Sequence, residues 1–372
     1  MRSEGTRSPT YWRGLDGVRG IAIATVLVFH ARLTLLPGGA AGVDVFFVLS
    51  GFLITMSLLA GWRVTGRVGL SDFYRKRALR ILPAMLVAVP FGFVLTFFTW
   101  PSERHRLVGA ALSSVAFIAN FRAAHDPASM SVFLPHWSLA LEEQFYVLWP
   151  PVLYVLLRAR WRPAALVGLT GAAVVLVSVW RSLAFGHISP TTLLYRPDVR
   201  ADPILLGCVL GLLVGFDLVP RAAWFRRAVQ TIAVLGLGYI ALFVYKAQWF
   251  PERTRLTVAL AAVSVVTAAM ILERVVAPTR VMSLLLEQPV LVWVGRISYS
   301  LYLVHVPIIV MVRRQMTGSA SFLPAVALSL VVAAALHYAV EAPFLRLKQR
   351  TTRTVMTSAA AAPQPLDPAH GG

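Results

Sequence analysis

The chain has 372 residues, of which 58% are hydrophobic and only 14% charged, and it carries a formal net charge of +19. A soluble domain has about 25% charged residues, so this composition excludes a chain facing water on all sides and predicts an integral membrane protein. The excess of arginine falls between apolar runs, the pattern of anionic lipid contact and the positive-inside rule rather than of nucleic-acid binding.

Apolar runs near the 20 residues needed to cross a bilayer occur at Leu15–Leu36, Gly42–Trp62, Leu79–Trp100, Ala140–Leu157, Ala164–Ala184, Pro203–Val219, Ala228–Tyr245, Leu256–Leu272, Ile297–Val312 and Phe322–Ala342. Ten transmembrane helices are therefore predicted, in an all-α bundle over residues 15–346. A cytoplasmic N-terminus (1–14) precedes it and an Ala- and Pro-rich disordered cytoplasmic tail (347–372) follows. Two further stretches, Leu107–Phe121 and Met282–Val294, are ambiguous.

Basic residues decide the first of these. If Leu107–Phe121 does not cross, the cytoplasmic segments hold 22 Lys and Arg and the outside loops 10. If it does cross, Arg158, Arg160 and Arg162 move outside, against the rule. It reads as a re-entrant or interfacial segment, with both termini cytoplasmic. No leader with a cleavage site is expected, and the single cysteine, Cys208, excludes an intrachain disulfide and any Cys-based metal site. No metal and no permanently bound cofactor are predicted.

Ionisable residues inside spans are costly and mark function by default. The first span holds Asp16, Arg19 and His30. Arg19 and His30 lie eleven residues apart, which returns to the same helical face about 16 Å further along. An interfacial Asp16–Arg19 pair with a core histidine is the plainer alternative.

Asp44, near the start of the second span, is placed to orient His30 or to sit at a helix N-terminus. Phe73-Tyr-Arg-Lys-Arg-Ala-Leu-Arg-Ile-Leu-Pro83 brings Arg75, Arg77 and Arg80 to the cytoplasmic end of the third span. Arg77 and Arg80 share a face there, either as a phosphate grip or as a positive-inside anchor. His136-Trp-Ser-Leu-Ala-Leu-Glu-Glu-Gln-Phe-Tyr146 sends Glu142 and Glu143 into an apolar helix, where at least one faces inward. Arg200-Ala-Asp202 opens a later span. Ser298-Tyr-Ser-Leu-Tyr-Leu-Val-His305 leaves His305 in need of a partner, and His337 and Glu341 share a face.

In this order, these stretches resemble the acyltransferase 3 family of integral-membrane acyltransferases over about residues 12–346. The motifs that carry the likeness are Leu15-Asp-Gly-Val-Arg-Gly20 through His30, Asp44-Val-Phe-Phe-Val-Leu-Ser-Gly-Phe-Leu-Ile54, the arginine motif ending at Pro83, Trp137 to Tyr146, Arg200-Ala-Asp202, Ile297 to His305 and Val340-Glu-Ala-Pro343. The resemblance implies ten helices with both ends cytoplasmic. It also implies transfer of an acyl group, usually acetyl, from cytoplasmic acyl-CoA as co-substrate to an acceptor hydroxyl, on a cell-envelope carbohydrate, a glycolipid or a macrolide-type product. Many relatives add an SGNH-type hydrolase domain after the bundle, and none is expected here.

The resemblance further makes Arg19 and His30 the essential pair, with His30 either as general base, the simpler choice, or as brief carrier of the acyl group in an acyl-imidazole, and Asp16, Asp44, Glu142 or Glu143 setting its charge. Arg77, Arg80 and Arg75 would hold CoA phosphates, and Trp137, Ser138, Tyr146, Arg200, Asp202 and His305 would line the acceptor. The extended pantetheine arm matches the Arg19–His30 separation. A proton-coupled transporter using the same buried groups as a relay is the competing reading.

Overall fold

The computed structural model describes residues 11–66 and 68–347, so the tail and the first ten residues lie outside the described residues. The chain runs as α1 (Arg13–Ala31), α2 (Gly42–Thr65), α3 (Leu70–Thr99), α4 (Arg104–Val115), α5 (Ala119–His125), α6 (His136–Arg158), α7 (Pro163–Ala184), α8 (Pro190–Tyr195), α9 (Pro197–Arg200) and α10 (Asp202–Gly215). It continues as α11 (Ala223–Lys246), α12 (Glu252–Thr254), α13 (Leu260–Val276), α14 (Arg280–Leu286), α15 (Pro289–Arg296), α16 (Ser298–Gln315) and α17 (Phe322–Leu336). Among the described residues there is no strand, only an isolated bridge between Phe185 and Ile188. The protein is an all-α, multi-pass membrane bundle.

The number of spans is lower than the ten expected. Seven helices among the described residues are long and apolar enough to cross, or eight if α15 and α16, bent by 76° at their junction, form one broken span. The two expected segments that fall short do so for identifiable reasons. Ala140–Leu157 is helical within α6, but Glu142 and Glu143 lie in it, and Pro203–Val219 forms only the 14 residues of α10.

Leu107–Phe121 does not form one helix. It splits into α4 and α5 at Phe117, whose φ of 55° breaks the helical path. The 12 residues of α4 reach only about 18 Å, well short of a bilayer core. Gln144 of α6 pins this break by donating to the Phe117 carbonyl (2.8 Å) and pairing its amide with Asn120.

α1 and α2 lie at the centre and α7 at the rim, where only 11% of the apolar window is buried against protein. Two close backbone approaches fix the centre. A Cβ on Gly17 would strike the Leu286 carbonyl, and one on Gly207 would strike the Val48 carbonyl. Small residues allow such approach where apolar burial alone gives helices no preference for each other over lipid. One side of α1 packs Ile23 and Val26 with α3 and α16 residues such as Met85 and Ile308, and the other side adjoins the cluster of Val48, Phe52, Phe243 and Val263.

Candidate active site

Two polar clusters hang on α1. Near its C-terminal end, His30 Nδ1 lies 3.0 Å from the Val26 carbonyl and 3.2 Å from His305 Nε2. His305 Nδ1 in turn lies 3.1 Å from the Leu301 carbonyl and 2.8 Å from the Tyr302 carbonyl. Carbonyls only accept, so His305 Nδ1 carries the proton, and in a neutral ring its Nε2 is an acceptor. His30 Nδ1 must then be the donor, shared between Val26 and His305. A neutral His30 is left with its lone pair on Nε2, which bonds no described residue. His305 is fully buried whereas His30 is half-buried, so the chain of two rings runs from the interior toward an accessible nitrogen.

The second cluster lies toward the other end of α1. Arg77 Nε donates to Glu143 Oε1 (3.1 Å), its Nη2 donates to both Glu142 (3.2 Å) and Glu143, and its guanidinium sits 3.6 Å over the Tyr146 ring. Glu142 also accepts the hydroxyls of Ser50 and Tyr146, both at 2.6 Å. Every strong contact of Arg77 is thus taken up inside the protein, which ties α3 to α2 and α6. Arg75 and Lys76 are spent on Asp72 (2.8 and 2.5 Å).

Arg19 and Arg80 differ from these. No described residue pairs with either guanidinium, yet each lies within electrostatic range of the other, with Asp16, Glu341 and Glu142 around Arg19. Two guanidiniums without a bonded partner in one field have the chemistry to bind an anion such as phosphate. Of the three arginines expected to grip phosphates, Arg80 alone is free, and Arg19 joins it. Arg77 does not, because the two glutamates that follow Leu141 on α6 already hold it.

The carboxylates expected to act on His30 lie elsewhere. Asp44 is 1% exposed and pairs with Arg200 (2.9 Å), while Asp202 pairs with Arg181 (2.7 Å). These two bridges form one buried four-charge knot joining α2 to α9 and α7 to α10, in which Arg200 Nε and Nη1 find no partner. Asp16 accepts from Tyr11 (2.6 Å) and faces Arg296 (3.6 Å), in place of an exclusive pair with Arg19. The residue that meets His30 Nδ1 is His305, a ring rather than an acid.

Trp137 packs edge-on against Phe47 and Tyr195, and Ser138 shares a 2.6 Å hydroxyl bond with Tyr302, whose ring lies beside His305. Tyr146 belongs to the Arg77 clamp. Glu341 is bonded by Ser300 (2.8 Å) and His337 (2.9 Å). Sequence reasoning left Ser50, Tyr299 and Tyr302 unassigned. Tyr299 and Tyr302 recur every three residues in the Ser298–His305 stretch, a signal that was present, whereas nothing local marks Ser50.

The Acyltransferase domain family model, that of the acyltransferase 3 family, matches residues 12–340. The peptidoglycan O-acetyltransferase OatA of Listeria monocytogenes is 32% identical over 318 residues, covering 81% of this chain and 50% of that protein. The O-acetyltransferase OatA of Staphylococcus aureus (strain NCTC 8325) is 29% identical over 327 residues, covering 84% and 53%. The chain spans about half the length of the curated relatives it matches. No solved structure matches it.

Proposed function

The chain belongs to the acyltransferase 3 family, and we propose that it moves an acyl group, acetyl first among the candidates, from acyl-CoA to a hydroxyl of a cell-envelope carbohydrate. Acyl-CoA approaches from the arginine-rich cytoplasmic end, and Arg19 and Arg80 hold its phosphates there. The acceptor approaches His30 from the opposite end. The names of the relatives favour an envelope glycan over a macrolide as acceptor.

The observation that carries this reading is the proton order along the two rings. His305 Nε2 accepts a hydrogen bond from His30 Nδ1–H, so the lone pair of His30 Nε2 is left free to act as a general base. The acceptor hydroxyl gives its proton to His30 Nε2 as its oxygen attacks the thioester carbonyl. The C–S bond breaks, the ester forms, and the CoA sulfur takes the proton back from His30. A positioned base of this kind contributes roughly 10²–10⁴-fold.

The test follows free-thiol release from acetyl-CoA and longer acyl-CoAs by the purified protein in nanodiscs, with envelope glycans as acceptor. Release that rises with acceptor and needs His30 supports the reading. Acceptor-dependent release that survives His30→Ala overturns the base assignment, and the absence of release from a folded sample with every donor overturns the reaction.

A further inference from the structure

A cavity of about 420 Å³ opens where the C-terminal ends of α1 and α16 meet the segments that follow them. Its wall includes Arg32, Thr34, Arg313, Thr317, Ser319 and Ser321, and no carboxylate. The sequence places Arg32 inside the first span, but α1 ends at Ala31, and the arginine emerges beyond it. Ala31 lines the same cavity, so it begins one residue past His30.

We propose that this cavity seats an anionic group, a carboxylate or a phosphate, of the acceptor glycan. The proposal rests on the acyl-transfer reading for its ligand's role and on the cavity itself for its chemistry. Two guanidiniums from separate elements line one concavity, and no described residue bonds or pairs with either. Other arginines are engaged. Arg314, next in sequence to Arg313, stacks on Trp100 (4.5 Å); elsewhere Arg104 donates to the Phe97 carbonyl (2.8 Å) and Arg196 pairs with Asp198 (2.7 Å).

Cations at helix C-termini complement the helix dipole, which accounts for one arginine at each end. It does not account for two like charges facing one empty volume, an arrangement that an anion between them relieves. Guanidinium forks match carboxylate and phosphate oxygens, and the hydroxyls of Thr34, Thr317 and Ser319 around them can both donate and accept, as sugar hydroxyls require, while Ser321, which donates to the Gly318 carbonyl (2.9 Å), can only accept. The volume is that of a small-ligand site. An anion held here tethers the rest of the glycan beside the last turn of α1, which carries the base.

The experiment measures equilibrium binding of three oligosaccharide probes to the full chain in phosphatidylcholine nanodiscs. The probes are a hexuronic acid tetrasaccharide, its carboxyl-reduced neutral counterpart, and a phosphorylated version of the latter. The expected result is roughly tenfold tighter binding of one or both anionic probes than of the neutral one. The Arg32→Gln/Arg313→Gln protein loses that preference, the Arg32→Lys/Arg313→Lys protein keeps most of it, and the thermal melt is unchanged in both. The carboxylate and phosphate arms identify which anion is preferred.

Equal binding of neutral and anionic probes overturns the proposal, as does a preference that persists in the double Gln protein. Loss of probe binding when phosphatidylglycerol is added would assign the cavity to a lipid headgroup and overturn it as well. Binding needs no acyl transfer and persists in His30→Ala. A failed thiol-release assay with intact anion preference therefore strikes the reaction and leaves the seat standing.

Discussion

His30 and His305 meet across α1 and α16 with 3.2 Å between Nδ1 of one ring and Nε2 of the other. Because the deeper ring is anchored by two carbonyls of its own helix, the direction of its proton is fixed, and that of its partner follows. On the proposed mechanism His305 is a positioning residue for His30. His305→Ala should lower kcat for acyl transfer by about tenfold or more and leave KM for the donor unchanged. His305→Gln, whose amide oxygen can accept from His30 Nδ1, should recover part of that loss. Steady-state kinetics with acyl-CoA varied check both, and a loss that appears only as a raised KM at unchanged kcat would refute the role.

Arg77 and Arg80 stand three residues apart and should respond differently to the same change. Arg77→Ala strands Glu142 and Glu143 in a largely water-free position, so a loss of about 3–5 kcal/mol in stability is expected, with little protein recovered folded. Arg80→Ala breaks no bond to a described residue and should leave the thermal melt unchanged while raising KM for acyl-CoA several-fold. Melting in nanodiscs together with donor titration separates the two.

Asp44 is bound in its bridge to Arg200 and makes no contact with His30. Asp44→Ala should destabilise the bundle by about 3–5 kcal/mol, because it leaves Arg200 buried and uncompensated. Asp44→Ala with Arg200→Met should regain a large part of that loss, since an apolar pair of similar volume removes the stranded charge. Thermal unfolding of the two variants decides this, and a double variant no better than the single would overturn it.

Gly207 presses on the backbone of α2 at Val48. Gly207→Val must push α10 away from α2 and so strain both bridges of the four-charge knot. Loss of the folded species in size-exclusion chromatography is the expected outcome. The same substitution at Gly168, which has open space around its Cβ position, should be tolerated.

Much of this arrangement was legible from the amino-acid order. Spacing alone put Arg19 and His30 on one stripe, and arginine counts kept Leu107–Phe121 from crossing, as its break at Phe117 bears out. Partners were not legible. Helical periodicity tells which face a residue occupies but not what stands opposite. Asp44 therefore met Arg200, 156 positions away, instead of the nearby His30, and Arg77 met the glutamates of α6 instead of a ligand. The span count was overestimated because the glutamates of α6 lower the hydropathy of Ala140–Leu157 and because α10 stops at Gly215.

α1 carries both an unpaired arginine and the proposed base, and Gly17 locks it by backbone contact against Leu286. It therefore acts as a ruler. Eleven helical steps set about 16 Å between the two positions, and a clamped rod neither stretches nor swivels to suit a different donor arm. One residue inserted between Arg19 and His30 would lengthen the ruler by only about 1.5 Å but turn His30 by about 100°. The imidazole would then swing away from His305 while every residue of the site was still present.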